Sequence, residues 1–321
     1  MTDTPAVADV EDSLTPSVVD DAANETLGEH RSLSSDVWRQ FRRHKGAMVG
    51  LVILAVITIG SYIGPFVYPL DPFDIDIAIA NQNPSLGHLM GTDNLGRDVM
   101  ARVLVGGRIS LSVGFAAMIF GVFLGTLVGV LAGFFRRLDG PLMRLTDLFL
   151  ALPLLPLLLV VIVLFRDPLK DAFGPSLGIF ILVVSIIGLT SWMQTARIVR
   201  GDVLAIKEEE FVLAARSIGT KQRRLITRHI VPNVLSPVIV AASLGIAVAI
   251  LTESALSFLG LGFPADFPTW GRLLFDAKDY ININPMRVIW PGLLISLTVM
   301  SVNFIGDGFR DALDPRLRSK G

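Results

Sequence analysis

The chain has 321 residues, 52% of them hydrophobic and 18% charged, with a net charge of −1. Soluble domains carry nearer a quarter charged residues, so this balance argues for a membrane protein, while the near-neutral net charge argues neither for nor against nucleic acid. Cysteine is absent, which excludes disulfides, thiolate metal sites and a cysteine nucleophile.

Residues 1–36 differ from the rest. Nine acids from Asp3 to Asp36 face one base, Arg31. Such a segment cannot bury enough apolar surface to order itself, and it lacks the basic and apolar regions of a secretory signal. It reads as a disordered acidic cytosolic tail.

A membrane-crossing helix needs about 20 mostly apolar residues. Six stretches qualify: Ala47–Tyr68, Ile109–Phe135, Leu145–Phe165, Leu177–Trp192, Val234–Gly260 and Val288–Ile305. Pro153 and Pro156 should kink the third, and the fourth is short unless it continues through Ile198. Lys and Arg fix the orientation. "RQFRRHK" before span 1 holds four bases, "RRLDGPLMR" between spans 2 and 3 holds three, and the segment Arg197 to Arg228 holds eight. Arg310, Arg316, Arg318 and Lys320 follow span 6. All fall on one side of six spans, so both termini are cytosolic. The outer loops carry Asp71, Asp74, Asp76 and Asp93 after span 1, and Asp266, Asp276 and Asp279 after span 5.

Within this frame several residues stand out. Asp93, Arg97 and Asp98 lie in the outer connector, where two readings stand: a docking face for another protein, or an internal lattice of ion pairs. Gly96 beside them supplies a turn. Span 2 places Gly121, Gly125, Gly129 and Gly133 at every fourth position. Such a ridge lets a second backbone approach closely, either within the chain or on a partner. Glu253 is the one clear ionisable residue in the interior of a span, while Asp147 and Asp307 sit near cytosolic ends. An intramembrane carboxylate is costly and marks function by default; contact with a substrate, a partner subunit or a helix end are all open to it.

Enzyme motifs are missing. There is no HExxH, the four histidines lie outside the spans, and "FIGDG" lacks the first glycine of the GxGD used by intramembrane aspartyl proteases. No Lys precedes Ser or Thr, so the phosphate-binding loop G-x-x-x-x-G-K-[ST] is absent. A nucleotide-driven process would need ATP bound by another chain. A stand-alone secondary transporter or channel is the alternative, weakened by the scarcity of ionisable residues in the spans.

The long cytosolic segment between spans 4 and 5 reads "EEEFVLAARSIGTKQRRLITRHIVPN", from Glu208 to Asn233. Glu210 and Ala214 are four apart and share a helix face. Ala214 and Ala215 remove bulk, so that a partner can come close. Gly219 occupies a helix C′ position, where positive φ favours glycine. "TKQRRLITRHI" reads as a second short helix, and Pro232 suits the first turn of span 5. Together these make a helix–turn–helix on the cytosolic face.

"EFVLAARSIG…RHIVPN" resembles the EAA loop of ABC importer permeases, with Leu213 where the general pattern has Glu. "LMGTDNLGRDVMARVLVGGRISL", "ESALSFLGLGF…FPTWGRLL", "NFIGDGFRDALDPRLR" and "RRHKGAMVGL" resemble the corresponding segments of the dipeptide/oligopeptide/nickel branch, the last fitting the N-terminal module of its C-type subunit. The outer "PADFP" departs from the more proline-rich form usual there. The resemblance runs from about residue 37 to the end. It implies an all-α, six-span type I importer permease that makes half of a translocation path for di- or oligopeptides, or else for nickel complexes, glutathione or oligosaccharides. By position, Glu210, Phe211, Ala214, Ala215, Arg216, Gly219, Pro232 and Asn233 would couple the chain to an ATPase. The implied partners are a second homologous permease in a heterodimer, two ATPase subunits that hold the ATP and Mg, and an extracytoplasmic binding protein that docks on the outer face, where Asp93, Arg97 and Asp98 would lie. This chain itself would carry no cofactor, no metal and no catalytic residue. The implied organisation is a tail at 1–36, an N-terminal module at 37–70, an outer connector at 71–108, a core at 109–308 with its EAA loop at about 201–233, and a cytosolic tail at 309–321 in the plasma (inner) membrane.

Overall fold

A computed structural model describes residues 33–313. The acidic segment 1–32 and the last eight residues, 314–321, lie outside the described residues, so the expectations placed on them are not addressed by the fold.

The described residues are helical, with no strand beyond one isolated bridge, Thr92 to Asp98. Helix α1 (Leu33–Arg43) begins four residues inside the stretch read as tail. Helix α2 (Lys45–Val67) is span 1 and starts from His44, whose Nδ1 accepts the Ala47 N–H at 2.9 Å. Helix α3 (Val99–Phe134) is span 2; it opens ten residues before the apolar stretch because the Asp98 carboxylate accepts the Ala101 N–H at 2.7 Å and caps it.

Span 3 departs from expectation. Instead of one kinked helix over Leu145–Phe165, the chain makes α4 (Arg136–Ala151) and α5 (Leu154–Phe173), bent by 90° at Leu152 and Pro153. Proline removes an N–H and disfavours helical geometry in the residue before it, and the second proline, Pro156, falls in the first turn of α5, where it is tolerated. Span 4 is α6 (Pro175–Ile206), longer than the apolar stretch and continuous to the cytosolic segment. Helix α7 (Glu210–Ser217) follows.

The second short helix is not separate. Helix α8 (Gln222–Leu225), a π-helical turn (Ile226–Ile230) and α9 (Val231–Phe258) follow one another without a break and form span 5. The Val231 N–H reaches back to the Ile226 carbonyl. This wider turn precedes Pro232, which has no N–H to continue the α-helical ladder. Helix α10 (Trp270–Ala277) lies in the outer loop, and α11 (Met286–Leu313) is span 6.

Spans 2 and 4 run parallel, and the glycine ridge is their seam. A Cβ on Gly125 would lie 2.6 Å from the Trp192 carbonyl oxygen, one on Gly129 would lie 2.7 Å from that of Ala196, and one on Gly133 would lie 2.7 Å from Val203 Cβ. Of the two readings of this ridge, the intrachain one describes the structure. Span 1 packs on span 6 in the same way, with Gly50 facing the Ser301 carbonyl and Gly308 facing Ala47. Helix α1 is pinned there by Phe41, which is buried against Phe309 with ring centroids 4.9 Å apart.

Candidate functional site

Helix α7 starts when the Glu209 carbonyl accepts the N–H groups of Val212 and Leu213, each at 3.0 Å. It ends at Ser217. The Thr220 N–H then bonds the Ala215 carbonyl and the Gly219 N–H bonds the Arg216 carbonyl, with Gly219 at φ +80°. This is the Schellman C-cap that the glycine implied. No atom lies within 4 Å of a Cβ built on Gly219, so glycine is present for its backbone alone.

The helix has two faces. Val212 (1% exposed) and Ala215 (8%) point inward and pack with Leu225, Ile230, Val234, Val199, Val203, Val130 and Phe134. Glu210, Phe211, Ala214, Arg216 and Ile218 point outward, Ile218 at 84% exposure. The two alanines therefore do different things: Ala214 keeps the outer face low, and Ala215 lets α7 sit close to spans 2, 4 and 5. Phe211 leans on His229, with ring centroids 6.2 Å apart. The Asn233 amide donates to the His229 carbonyl at 2.6 Å and holds the turn before span 5, beside exposed Pro232.

Charged ties anchor the spans beneath this surface. Arg200 clamps Asp139 with two nitrogens, Nη2 to Oδ2 at 2.7 Å. Arg197 pairs with Asp147, and Lys207 Nζ donates to the Gly133 carbonyl at 3.3 Å. The ends of spans 2 and 4 are thus joined to the start of the bent span 3. Arg216, Lys221, Arg223, Arg224 and Arg228 are exposed around α7 and make no ion pair among the described residues. The result is a small-faced helix with a charged rim, mounted on a packed floor. Its inward face touches three spans, 2, 4 and 5.

Glu253 lies elsewhere, fully buried near the outer end of span 5. Its Oε2 accepts from Ser110 Oγ at 3.0 Å and its Oε1 from Ser257 Oγ at 2.8 Å. Ser110 Oγ in turn accepts the Trp270 N–H at 3.3 Å. The carboxylate lines neither of the two larger cavities and joins spans 2 and 5 to the outer helix α10. Of its three readings, this is closest to an internal structural one.

Asp93, Arg97 and Asp98 are 5%, 8% and 3% exposed, so they present no docking surface, and the lattice reading replaces it. Arg97 Nε lies 2.7 Å from Asp93 Oδ2. Asp98 accepts from Tyr68 Oη at 3.2 Å and lies 2.9 Å from His88 Nδ1. Burial, reinforced by the Asp98 charge and hydrogen bond, raises the Tyr68 phenol above its usual range. Gly96 supplies the turn at φ +77°. The lattice recruits residues the sequence did not flag. Arg102, 1% exposed, sits 3.8 Å from Asp93 and 3.7 Å from Asp276, and Arg287 donates to Asn81 at 2.7 Å and Asn94 at 3.1 Å. Asn81 and Arg287 are about two hundred residues apart, beyond what local spacing can reveal.

A second feature the sequence did not flag is a cavity of about 390 Å³ where the break in span 3 meets spans 2, 4 and 5. Thr190, Ser191, Gln194, Thr195 and Thr252 bring polar groups to a wall that is otherwise apolar.

Five helices long and apolar enough to cross a membrane, a sixth segment bent at Leu152 and Pro153, a built outer connector and a protruding helix seated on the spans fit a transport permease, the membrane-embedded part of a transporter. Residues 121–319 match the model of the binding-protein-dependent transport system inner membrane component, and residues 32–84 match that of the N-terminal TM domain of oligopeptide transport permease C. The chain belongs to this family of inner membrane permeases. It is 37% identical over 285 residues to the dipeptide transport system permease protein DppC of Alkalihalophilus pseudofirmus, covering 88% of this chain and 90% of that protein. It is 39% identical over 303 residues to the oligopeptide transport system permease protein OppC of Haemophilus influenzae, covering 94% of each. The fold is shared with a membrane chain of the inward-facing MetNI methionine ABC transporter at TM-score 0.54 and 19% identity, over 67% of this chain and 98% of that one.

Proposed function

We propose that this chain forms half of the translocation path of an ATP-driven importer of di- and oligopeptides. Helix α7 is its contact with a cytosolic ATPase subunit, which carries ATP and Mg. A second, homologous permease supplies the other half of the path, and an extracytoplasmic binding protein delivers the peptide. The observation that carries this reading is the two-sided α7, which shows Glu210, Phe211, Ala214, Arg216 and Ile218 outward and packs inward onto spans 2, 4 and 5. Such a helix can be pushed by a partner and can move the spans with it. The polar-walled cavity beside the break in span 3 lies on three of the elements that would move, and we assign it to the path. The names of the relatives support peptides as the cargo; selection among peptides would rest largely with the binding protein.

The test is gentle purification of the chain from its own membranes, with co-purifying chains identified by mass, followed by peptide uptake into vesicles. Co-purification of an ATPase and a second permease, with uptake that follows ATP, is expected. Uptake by this chain alone that collapses with an uncoupler at constant ATP would establish a secondary transporter instead.

A further inference from the structure

A second, larger cavity of about 620 Å³ lies on the other side of span 2. It is a slot between spans 1, 2, 4, 5 and 6, lined by Leu54, Phe115, Ile119, Phe180, Ile250 and Val302. Its polar groups are Thr58, Tyr62 and Ser112, and the last two lie at its outer end. Ser112 Oγ donates to the Arg108 carbonyl at 2.6 Å, so the 2.6 Å contact between Tyr62 Oη and Ser112 Oγ has tyrosine as donor. Both hydroxyl protons are therefore committed. They fix the Tyr62 ring, and the Arg108 guanidinium rests 5.9 Å from its centroid, within range of a cation–π contact.

Arg108 is exposed and has no carboxylate partner among the described residues. It stands immediately before the apolar run of span 2, which begins at Ile109. That is the outer headgroup level, where interfacial tyrosines also concentrate. From there the slot descends along span 2 from Leu111 to Ile119, about 12 Å at helical rise. Its open side is formed by Phe115 and Ile119 of span 2, both exposed and both apolar. A water-filled path would not be rimmed this way; hydrocarbon would.

We propose that this slot holds an acyl chain of an outer-leaflet phospholipid whose phosphate pairs with Arg108. The guanidinium offers several donors to phosphate oxygens, while the slot offers the chain an apolar bed one turn below. This goes beyond the peptide-import reading and does not depend on it, because the assay needs neither ATP nor peptide.

The experiment uses the assembled transporter in membranes doped with a phospholipid carrying a photoactivatable group in its acyl chain. Labelled peptides are mapped by mass at equal amounts of transporter. The label is expected on peptides containing Tyr62 and Leu111–Ile119. Arg108→Gln should lower it about fivefold, as expected for one interfacial cation. Ile119→Trp, which fills the slot and leaves the guanidinium, should lower it similarly, and Arg108→Lys should retain more than Arg108→Gln. Labelling that both variants leave unchanged would overturn the assignment. So would a protein occupant: Phe115→Cys puts a single thiol in this cysteine-free chain, and its efficient crosslinking to a second membrane subunit would make the slot a protein interface.

Discussion

Adding one methyl group at a time to the glycine ridge of span 2 tests the packing directly. A Cβ at Gly125 would meet Trp192 O at 2.6 Å and Thr195 Cβ at 2.7 Å, and at Gly129 it would meet Ala196 O and Val199 Cβ, both at 2.7 Å. Carbon to carbonyl oxygen contacts settle at about 3.3–3.6 Å, so each falls short by more than half an ångström against helix backbone that cannot move alone. At Gly121 the nearest atoms are Ser191 Cβ at 3.1 Å and Gly188 O at 3.2 Å, a much smaller conflict. Overpacking costs about 1–3 kcal/mol, and replacing glycine by alanine in a helix returns about 1 kcal/mol. Gly125→Ala and Gly129→Ala should therefore lose up to about 2 kcal/mol, and Gly121→Ala should be near neutral. The readout is the apparent thermal midpoint of the detergent-solubilised transporter, followed by size exclusion after heating. About 1.5 °C is expected per kcal/mol for 321 residues at an unfolding entropy of about 2.1 cal/mol/K each. If Gly121→Ala and Gly125→Ala melt together, or if Gly121→Ala is the worse, the assigned contact between spans 2 and 4 is wrong.

Other substitutions probe the remaining sites. Gly219→Val should strain the cap after α7 by about 1 kcal/mol or more, with Gly219→Asn milder; normal coupling of ATP hydrolysis to uptake in the valine variant would refute the role given to the turn. Ala214→Leu should leave the melting midpoint in place and weaken ATPase retention during purification, while Ala215→Leu, aimed at the buried floor, should lower the midpoint; identical behaviour of the pair would contradict the two-sided helix. Glu253→Ala removes the acceptor of both Ser110 and Ser257 and should cost about 1–3 kcal/mol, whereas Glu253→Gln keeps an acceptor and should be milder in stability and in uptake; uptake lost equally in both, with stability intact, would point to a requirement for the charge. Asp93→Asn leaves Arg97 and Arg102 buried without their shared carboxylate and should destabilise by about 3–5 kcal/mol, so loss of folded protein from the membrane is the expected result, and normal yield and midpoint would count against the lattice.

Much of this was legible along the chain, because bilayer thickness and the distribution of bases speak through local composition. The six crossing segments, their orientation, the turn at Gly219 and the ridge at Gly121 to Gly133 all rest on residues within a few positions of one another. What the sequence misjudged depends on three dimensions. Pro153 announced a break but not its 90° angle, which the surrounding spans select. "TKQRRLITRHI" has the charge of a separate surface helix, yet Leu225 and Ile230 are buried and draw it into span 5 as a continuous rod. Asp93, Arg97 and Asp98 look like surface charges until Arg102, Asp276 and Arg287 close over them from distant parts of the chain. The split between Ala214 and Ala215 was invisible because adjacent residues differ by about 100° around a helix, and only the position of the floor says which one faces it.

Span 4 runs unbroken for 32 residues from Pro175 to Ile206, about 48 Å at helical rise; the ridge seams its cytosolic half to span 2, and Val113 and Ala117 pack against its outer half. Two rods seamed together act as a rocker arm. Pivoting about its middle by roughly ten degrees would carry each end about 4 Å, and in opposite directions. The cytosolic end rests on α7, and the outer end of span 2 grows out of the charged connector. A shove of a few ångströms beneath the membrane would then arrive above it at nearly full stroke, which a seam of bulkier, more compressible side chains would have absorbed along the way.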